Sequence, residues 1–251
     1  MTHSHALVYA FVKATAELKA EHERYWLGFV WWLFEPLLQL ITLYVLFGLF
    51  LQRGGEGFVP FLLVGITCWK GISSLILHAA PSVMQHRNIL LQTSLAEWVF
   101  PIAAVIADGV KIAGVFVVLC ATIALYAGLT LWWAILPLLL LVLLVFGTGL
   151  GLLLAAIMPL IPDLRFVVES LLQVGFWAAG VFFSAKELPE SLQVVFYMNP
   201  AACLLESFRT VMLTGAAPNL LFVTYPLMVG VTCGALGIWL MQRLRGEYVK
   251  L

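Results

Sequence analysis

Polar residues gather in a few places along this chain, and between them run apolar stretches too long for a strand. A bilayer-crossing helix needs about 20 predominantly apolar residues. Six segments meet that length: 26–51, 58–80, 98–126, 132–158, 166–183 and 220–241. Runs of this kind predict an all-α integral membrane protein with six transmembrane helices, since a barrel strand shows only about ten residues of alternating character. Two further segments break the pattern. In 5–24, Leu7, Ala10, Phe11, Ala14 and Leu18 recur at helical spacing with Lys13, Glu17, Glu21 and Arg24 largely opposite, which predicts an amphipathic interface helix. Segment 185–218 is too apolar for a flexible loop, and Asn199-Pro200 punctuates it. The residue before proline leaves the helical region and proline suits a first helical turn. Two short re-entrant helices, about 190–198 and 201–214, are therefore expected in the periplasmic face between spans five and six. Non-helical backbone at that depth must be surrounded by protein or water, so the pair reads as a lid over a passage.

Composition turns this pattern into an exclusion. Of 251 residues, 63% are apolar and only 10% charged, and 17 Phe, 9 Trp and 7 Tyr outnumber the charged side chains. A soluble domain of this size cannot be given a polar skin from so few charges. With 13 basic and 13 acidic residues, no basic excess exists to neutralise phosphates, which argues against nucleic acid as a partner. The basic residues are nevertheless placed unevenly. Lys13, Lys19, Arg24, Arg87, Arg165, Arg243, Arg245 and Lys250 fall on one side of the six spans, and Arg53, Lys186 and Arg209 on the other. That asymmetry puts both termini in the cytoplasm. Trp26, Trp98, Trp132, Trp133 and Trp239 lie near span ends, where interfacial aromatics anchor. The four cysteines are widely separated in apolar contexts, and the histidines form no ligand set. No repeat divides the chain, so 1–251 is read as a single transmembrane domain.

Polar groups within spans each need a reason, because a charge at mid-bilayer costs about 2.5–3.5 kcal/mol on insertion scales. Glu35, Gln39 and Thr42 form one stripe on span one, with Trp31 a turn before it and Pro36 beside it. Lys70 and Ser74 share a face of span two, with His78 a turn further on; Asp108 and Lys111 are three apart on span three. Glu169, Gln173 and Trp177 make a stripe on span five, continued by Gly180. Two readings stand side by side. One is helix–helix glue, through pairs such as Glu35–Lys70 or Asp108–Lys111. The other is a hydrated path lined by spans one and five. No phosphate-binding loop, H-E-x-x-H or G-x-S-x-G is found, so nothing supports catalysis by this chain alone.

Several local sequences resemble the permease subunits of ABC-2-type exporters of lipid-linked polysaccharide. Residues 24–47, from Arg24-Tyr25-Trp26-Leu27-Gly28 through Glu35-Pro36-Leu37-Leu38 to Tyr44 and Phe47, look like the family's R-Y-x-x-x-L-G-x-x-W-x-x-x-x-P-L-L opening of span one. Phe61-Leu62-Leu63-Val64-Gly65-Ile66 followed by Trp69 is similar to F-L-x-x-G-L-x-P-W, with Cys68 replacing the proline. Phe183 to Leu188-Pro189-Glu190 resembles the stretch ending in I-P-E, and Tyr197-Met198-Asn199-Pro200, then Glu206 and Phe208-Arg209, resembles the Y-N-P segment with its later arginine. Where many members carry proline late in span five, Gly180 stands here.

The resemblance implies a homodimer in the bacterial cytoplasmic (inner) membrane, served by two copies of a separate ATP-binding-cassette subunit. ATP and magnesium would sit on that subunit, with no cofactor, metal or catalytic residue in this chain. Helix 5–24 and the connection 84–95, through Glu17, Glu21, Arg87 and Asn88, are expected to couple to the ATPase. Trp31, Glu35, Gln39, Thr42, Gln173, Phe176 and Trp177 are the expected channel surface, and Asn199, Pro200 and Arg209 the periplasmic gate. The cargo expected is O-antigen, as part of lipopolysaccharide biosynthesis, with capsule or teichoic acid as related polymers. The alternatives are an ABC-2 permease for a drug or small lipid, or a membrane enzyme acting on lipid-linked substrates.

Overall fold

The computed structural model describes residues 3–24, 30–52, 55, 57–93 and 95–250. Trp26, Gly28 and Arg53 lie outside the described residues. The described chain is helical throughout. Helix α1 (His3–Arg24) is followed by α2 (Val30–Leu43), which runs on as a π-helical segment, Tyr44–Phe50. Then come α3 (Phe58–Ala79), the short α4 (Ser82–Gln85) and α5 (Arg87–Gln92), and α6 (Val99–Ala127). A 3-10 turn, Leu131–Ile135, leads into α7 (Leu136–Ile157), whose first turn carries proline. The chain continues through α8 (Leu164–Ala178), α9 (Glu190–Tyr197), α10 (Pro200–Arg209) with a π-helical end Thr210–Thr214, and α11 (Leu220–Lys250).

Five helical stretches are long and apolar enough to cross a bilayer: Val30–Phe50, Phe58–Gln85, Val99–Ala127, Leu131–Ile157 and Leu220–Tyr248. The protein is a multi-pass membrane protein. The fifth segment expected from the sequence is shorter than its apolar run. Helix α8 has 15 residues, or about 22 Å at 1.5 Å per residue, against a hydrocarbon core of about 30 Å. It stops because Gly180 takes φ +73°, where a Cβ would also meet the Phe196 ring at 2.6 Å. The stripe of Glu169, Gln173 and Trp177 therefore does not continue to Gly180, which lies beyond the helix.

Helix α3 is the hub. It packs on α6 and α7, with α10 against its outer end and α2 and α8 on its flanks. Its buried residues, from Leu62 to Ile76, join Leu139 and Leu143 of α7 and Leu204 and Phe208 of α10 in one core. Helix α7 makes its other large contact with α11. Three glycines two apart serve both neighbours. A Cβ at Gly147 or Gly151 would meet Leu75 and Ala79 of α3 at 2.6 and 2.7 Å, and one at Gly149 would lie 1.9 Å from the Gly230 carbonyl of α11. Between apolar helices in lipid, close backbone approach of this kind replaces the hydrophobic effect as the source of association.

Helix α1 lies along α6. Its buried side is made of Ala6, Ala10 and Ala14, against Val99 and Ala103, while Leu7, Val8, Phe11 and Val12 stay exposed. The apolar periodicity of 5–24 thus serves two surfaces: small residues meet protein, and large ones face outward as an interfacial helix would present them to lipid. The two short helices expected in 185–218 are α9 and α10. Asn199 caps α10 by accepting the Ala201 N–H at 3.0 Å, with Pro200 as its first residue. Almost all of α10 is buried, from Ala201 to Arg209, whereas α9 has no buried residue.

The glycine packing gives a paired expectation for stability in detergent. Gly149→Leu should lower unfolding stability by roughly 1–3 kcal/mol or prevent folding, by forcing α7 and α11 apart. Gly109→Ala, whose Cβ would touch only Leu144 at 3.8 Å, should be neutral or slightly stabilising. Thermal unfolding of the two variants checks this, and equal effects would contradict the packing described.

Candidate functional site

The polar stripe of α3 is the start of the site. Lys70, Ser74 and His78 recur at every fourth position, so all three leave the helix on one side. Facing them on α6 is Asp108, whose side chain is almost fully buried. Its carboxylate accepts from the Ser74 hydroxyl at 2.8 Å, and His78 Nδ1 lies 2.6 Å from the same oxygen. Lys111 Nζ approaches the other carboxylate oxygen at 3.5 Å. A buried anion with three such partners has its lone pairs satisfied, which is what allows it to remain in an apolar surround.

Lys111 carries the network outward. It pairs with Glu21 of α1 and sits 4.9 Å above the Trp32 ring of α2, while Trp32 Nε1 donates to the other Glu21 oxygen at 3.1 Å. Lys70 pairs separately with Glu35 of α2. Four helices thus enclose a cleft of about 600 Å³, walled by Trp31, Trp32, Leu77 and Phe116 and floored by these paired groups. Both ion pairs expected from the sequence, Glu35–Lys70 between helices and Asp108–Lys111 within one, are formed. Such a cleft offers flat apolar faces beside hydroxyl, carboxylate and ammonium groups, the chemistry that polyhydroxylated molecules bind.

The expected channel residues divide between two helices. On α2, Trp31 is exposed and tilted against Phe34 at 5.7 Å, Glu35 lines the cleft, Gln39 is half-buried, and Thr42 is exposed with its hydroxyl on the Leu38 carbonyl. On α8, Gln173 and Trp177 are exposed and Phe176 is buried. Trp177 packs edge-on against Phe176 at 5.4 Å and Phe182 at 5.2 Å, and Phe182 stacks on Phe47 at 4.9 Å. Phe182, Phe183, Phe196, Tyr197 and Phe222 then follow one another at 4.5–5.6 Å. An aromatic run therefore crosses from α8 through α9 to α11. Glu169 turns away to pair with Arg165 at 2.8 Å.

The expected gate residues are not alike. Asn199 and Pro200 begin α10 as described. Arg209, counted in a connection by its sequence position, is buried in the bundle. Its Nη1 donates to the Gly180 carbonyl at 2.8 Å, its Nη2 to Val181 at 2.7 Å and Phe61 at 3.4 Å, and its guanidinium lies 3.4 Å over the Phe61 ring. Gly65 makes the room, since a Cβ there would stand 2.5 Å from Nη2. Two of the family-like segments, Phe61–Gly65 and Asn199–Arg209, therefore meet as one clamp on the turn that ends α8.

Among the expected coupling residues, Glu17 pairs with Lys13 at 2.5 Å, and Lys13 Nζ lies 3.0 Å from His86 Nε2 between α4 and α5. Helix α1 and the α4–α5 segment therefore share a face. Asn88 is exposed there. Arg87 instead donates through Nε to the Tyr248 carbonyl at 3.1 Å, and Glu21 is turned into the cleft. Sequence reasoning missed the Glu21–Lys111 and Glu21–Trp32 contacts, because they join residues 90 and 11 positions apart.

The family described as ABC-2 type transporter matches residues 15–213. The O-antigen export system permease protein RfbA of Myxococcus xanthus is 24% identical over 226 residues, 89% of this chain and 85% of that protein. An O-antigen export system permease protein RfbA of Klebsiella pneumoniae is 20% identical over 238 residues, 94% of this chain and 91% of that protein.

The buried and exposed carboxylates should respond differently to neutralisation. Asp108→Ala leaves Ser74 and His78 without the buried acceptor they converge on, while Lys111 keeps Glu21, and is expected to cost about 1–3 kcal/mol in unfolding stability. Glu169→Gln, which breaks the exposed pair with Arg165, should change it by no more than about 0.5 kcal/mol. Chemical unfolding of the purified variants in detergent measures both, and a tolerated Asp108→Ala would contradict the satisfied-anion description.

Proposed function

The chain belongs to the ABC-2 type transporter family, and on that premise we propose that it is the membrane-spanning permease subunit of an exporter of lipid-linked polysaccharide. O-antigen is the favoured cargo, moved across the bacterial cytoplasmic membrane. The observation that carries this reading is the uncovered aromatic and polar surface of α2 and α8. Trp31, Phe34, Leu38 and Ile41 on α2, and Leu171, Val174 and Trp177 on α8, are exposed on helices that flank the same hub. The names of the relatives supply the cargo class.

In this reading two copies pair so that α2 and α8 border a channel between them. Sugar CH faces stack on Trp31 and Trp177, while hydroxyls meet Glu35, Gln39, Thr42 or Gln173. Contacts of this kind are individually weak and repeated, which suits a polymer that must slide rather than stick. Helix α8, extended by the turn at Gly180, is span five of six, and both termini lie in the cytoplasm. The α9–α10 pair is re-entrant and closes the outer mouth. The face shared by α1 and α4–α5, where Lys13 meets His86, docks a cytoplasmic ATPase subunit, one for each permease. Closure of the ATPases on ATP then tilts α1 and opens the channel.

Each aromatic contact is worth about 0.5–1.5 kcal/mol, so Trp31→Ala combined with Trp177→Ala should cut export roughly tenfold. The assay is surface polysaccharide in cells carrying the permease and its ATPase as the only exporter. Trp239→Ala, an exposed tryptophan on α11, is the control expected to leave export unchanged. Undiminished polysaccharide in the double variant, or ATP-driven movement of a drug with none of the polymer, would overturn the reading.

A further inference from the structure

Helix α2 is held by unusual means. Only Pro36 and Leu43 are buried in its α-helical part, whereas α3 buries most of its length. A helix with so little side-chain interdigitation takes its pose from whatever specific ties it makes. At the end nearer α1 these include Glu35 to Lys70 of α3, Trp32 to Glu21 of α1, and the Lys111 ammonium of α6 over the Trp32 ring. The second is part of a continuous polar chain. Trp32 Nε1 donates to Glu21, Glu21 pairs with Lys111, Lys111 approaches Asp108, and Asp108 accepts from Ser74. Glu21 is the member through which α1 reaches both α2 and α6, beside Lys111, which meets Glu21 and the Trp32 ring from α6. In a partly water-excluded cleft such charge-assisted bonds are stronger and more directional than at an aqueous surface.

We infer that Glu21 is a positioning residue, the joint through which α1 sets the pose of α2. The inference rests on the reading above that α1 docks the ATPase and α2 borders the channel, and it gives Glu21 a different task from direct ATPase contact. The seat of α1 on α6 is built from Ala6 and Ala10, with Tyr9 the one large apolar side chain of α1 packed beside them, so α1 can slide or tilt along that helix while unpacking few bulky side chains. Glu21 lies near its C-terminal end, where a tilt displaces it most. Through the Trp32 bond that displacement reaches α2 directly, while the buried Asp108 end of the chain remains fixed on the α3–α6 core. One carboxylate thus connects a sliding helix, a loosely packed helix and a rigid floor.

The joint is tested by double spin labelling of the full chain in nanodiscs, with Cys68, Cys120, Cys203 and Cys233 replaced. Labels at Leu38→Cys and Leu141→Cys report α2 against α7, and labels at Leu141→Cys and Val231→Cys report α7 against α11 as a folding control. Glu21→Ala and Trp32→Phe should each broaden the α2–α7 distance distribution and leave the α7–α11 distance unchanged. Their combination should broaden it no further than either alone. Glu21→Gln, which keeps an oxygen for Trp32, should restore the narrow distribution, and export by the complete transporter should follow the same order. An α2–α7 distribution unchanged in both disruptive variants overturns the joint. So does broadening with Glu21→Ala alone, which assigns the effect to Lys111, and so does a Glu21→Gln variant as loose as Glu21→Ala. The distances are read whatever the cargo, so an absence of polysaccharide export in the parent protein counts against the proposed function and not against the joint.

Discussion

A carboxylate buried inside a membrane bundle must have its oxygens satisfied by donors, and Asp108 organises its neighbours on that condition. Ser74 and His78 leave α3 on the side that faces it, and Lys111 returns to it from one turn further along α6. Lys111 then has charge to spare for Glu21, which draws α1 against the bundle. Without Asp108 the polar face of α3 would have no buried counterpart, and the cleft walled by Trp31 and Trp32 would lose its floor. The two pairs named in the glue reading both tie helices together, and the Glu35–Lys70 pair also lines the cleft.

Rigidity elsewhere has another origin. Gly147, Gly149 and Gly151 bring α7 to backbone contact with α3 on one side and α11 on the other. Arg209 pins the turn after α8 by holding carbonyls that no helix satisfies. Against this core, α1, α2 and α8 are lightly packed. In the proposed transporter, α1, α2 and α8 would be the helices that move while the rest stays stiff, as rocking between states requires.

Much of this was legible from periodicity. The helix over 5–24, the break at Asn199-Pro200 with its two short helices, and the Asp108–Lys111 pair follow from spacing, because helical neighbours three or four apart must share a face. The end of α8 was not legible: apolar residues continue past Ala178, but the left-handed backbone at Gly180 and the Arg209 clamp are tertiary facts. Nor did the connection count foresee Arg209 in the interior, since a basic residue after Asn199-Pro200 reads as surface until its carbonyl partners are known. The division of α1 into an alanine face and a bulky face was visible in the sequence, but which of them meets protein depends on the small-residue surface of α6 at Val99 and Ala103.

The central claim is that this chain, with an ATPase partner, carries a lipid-linked polymer through a passage bordered by α2 and α8. Reconstitution of the transporter in vesicles loaded on the ATP side with lipid-linked O-polysaccharide tests it most directly, with a membrane-impermeant glycosidase on the opposite side. The account predicts that ATP makes the polymer cleavable, and that omitting the ATPase subunit abolishes cleavage. Polymer that stays protected while ATP is hydrolysed, or that becomes cleavable without ATP, would contradict it.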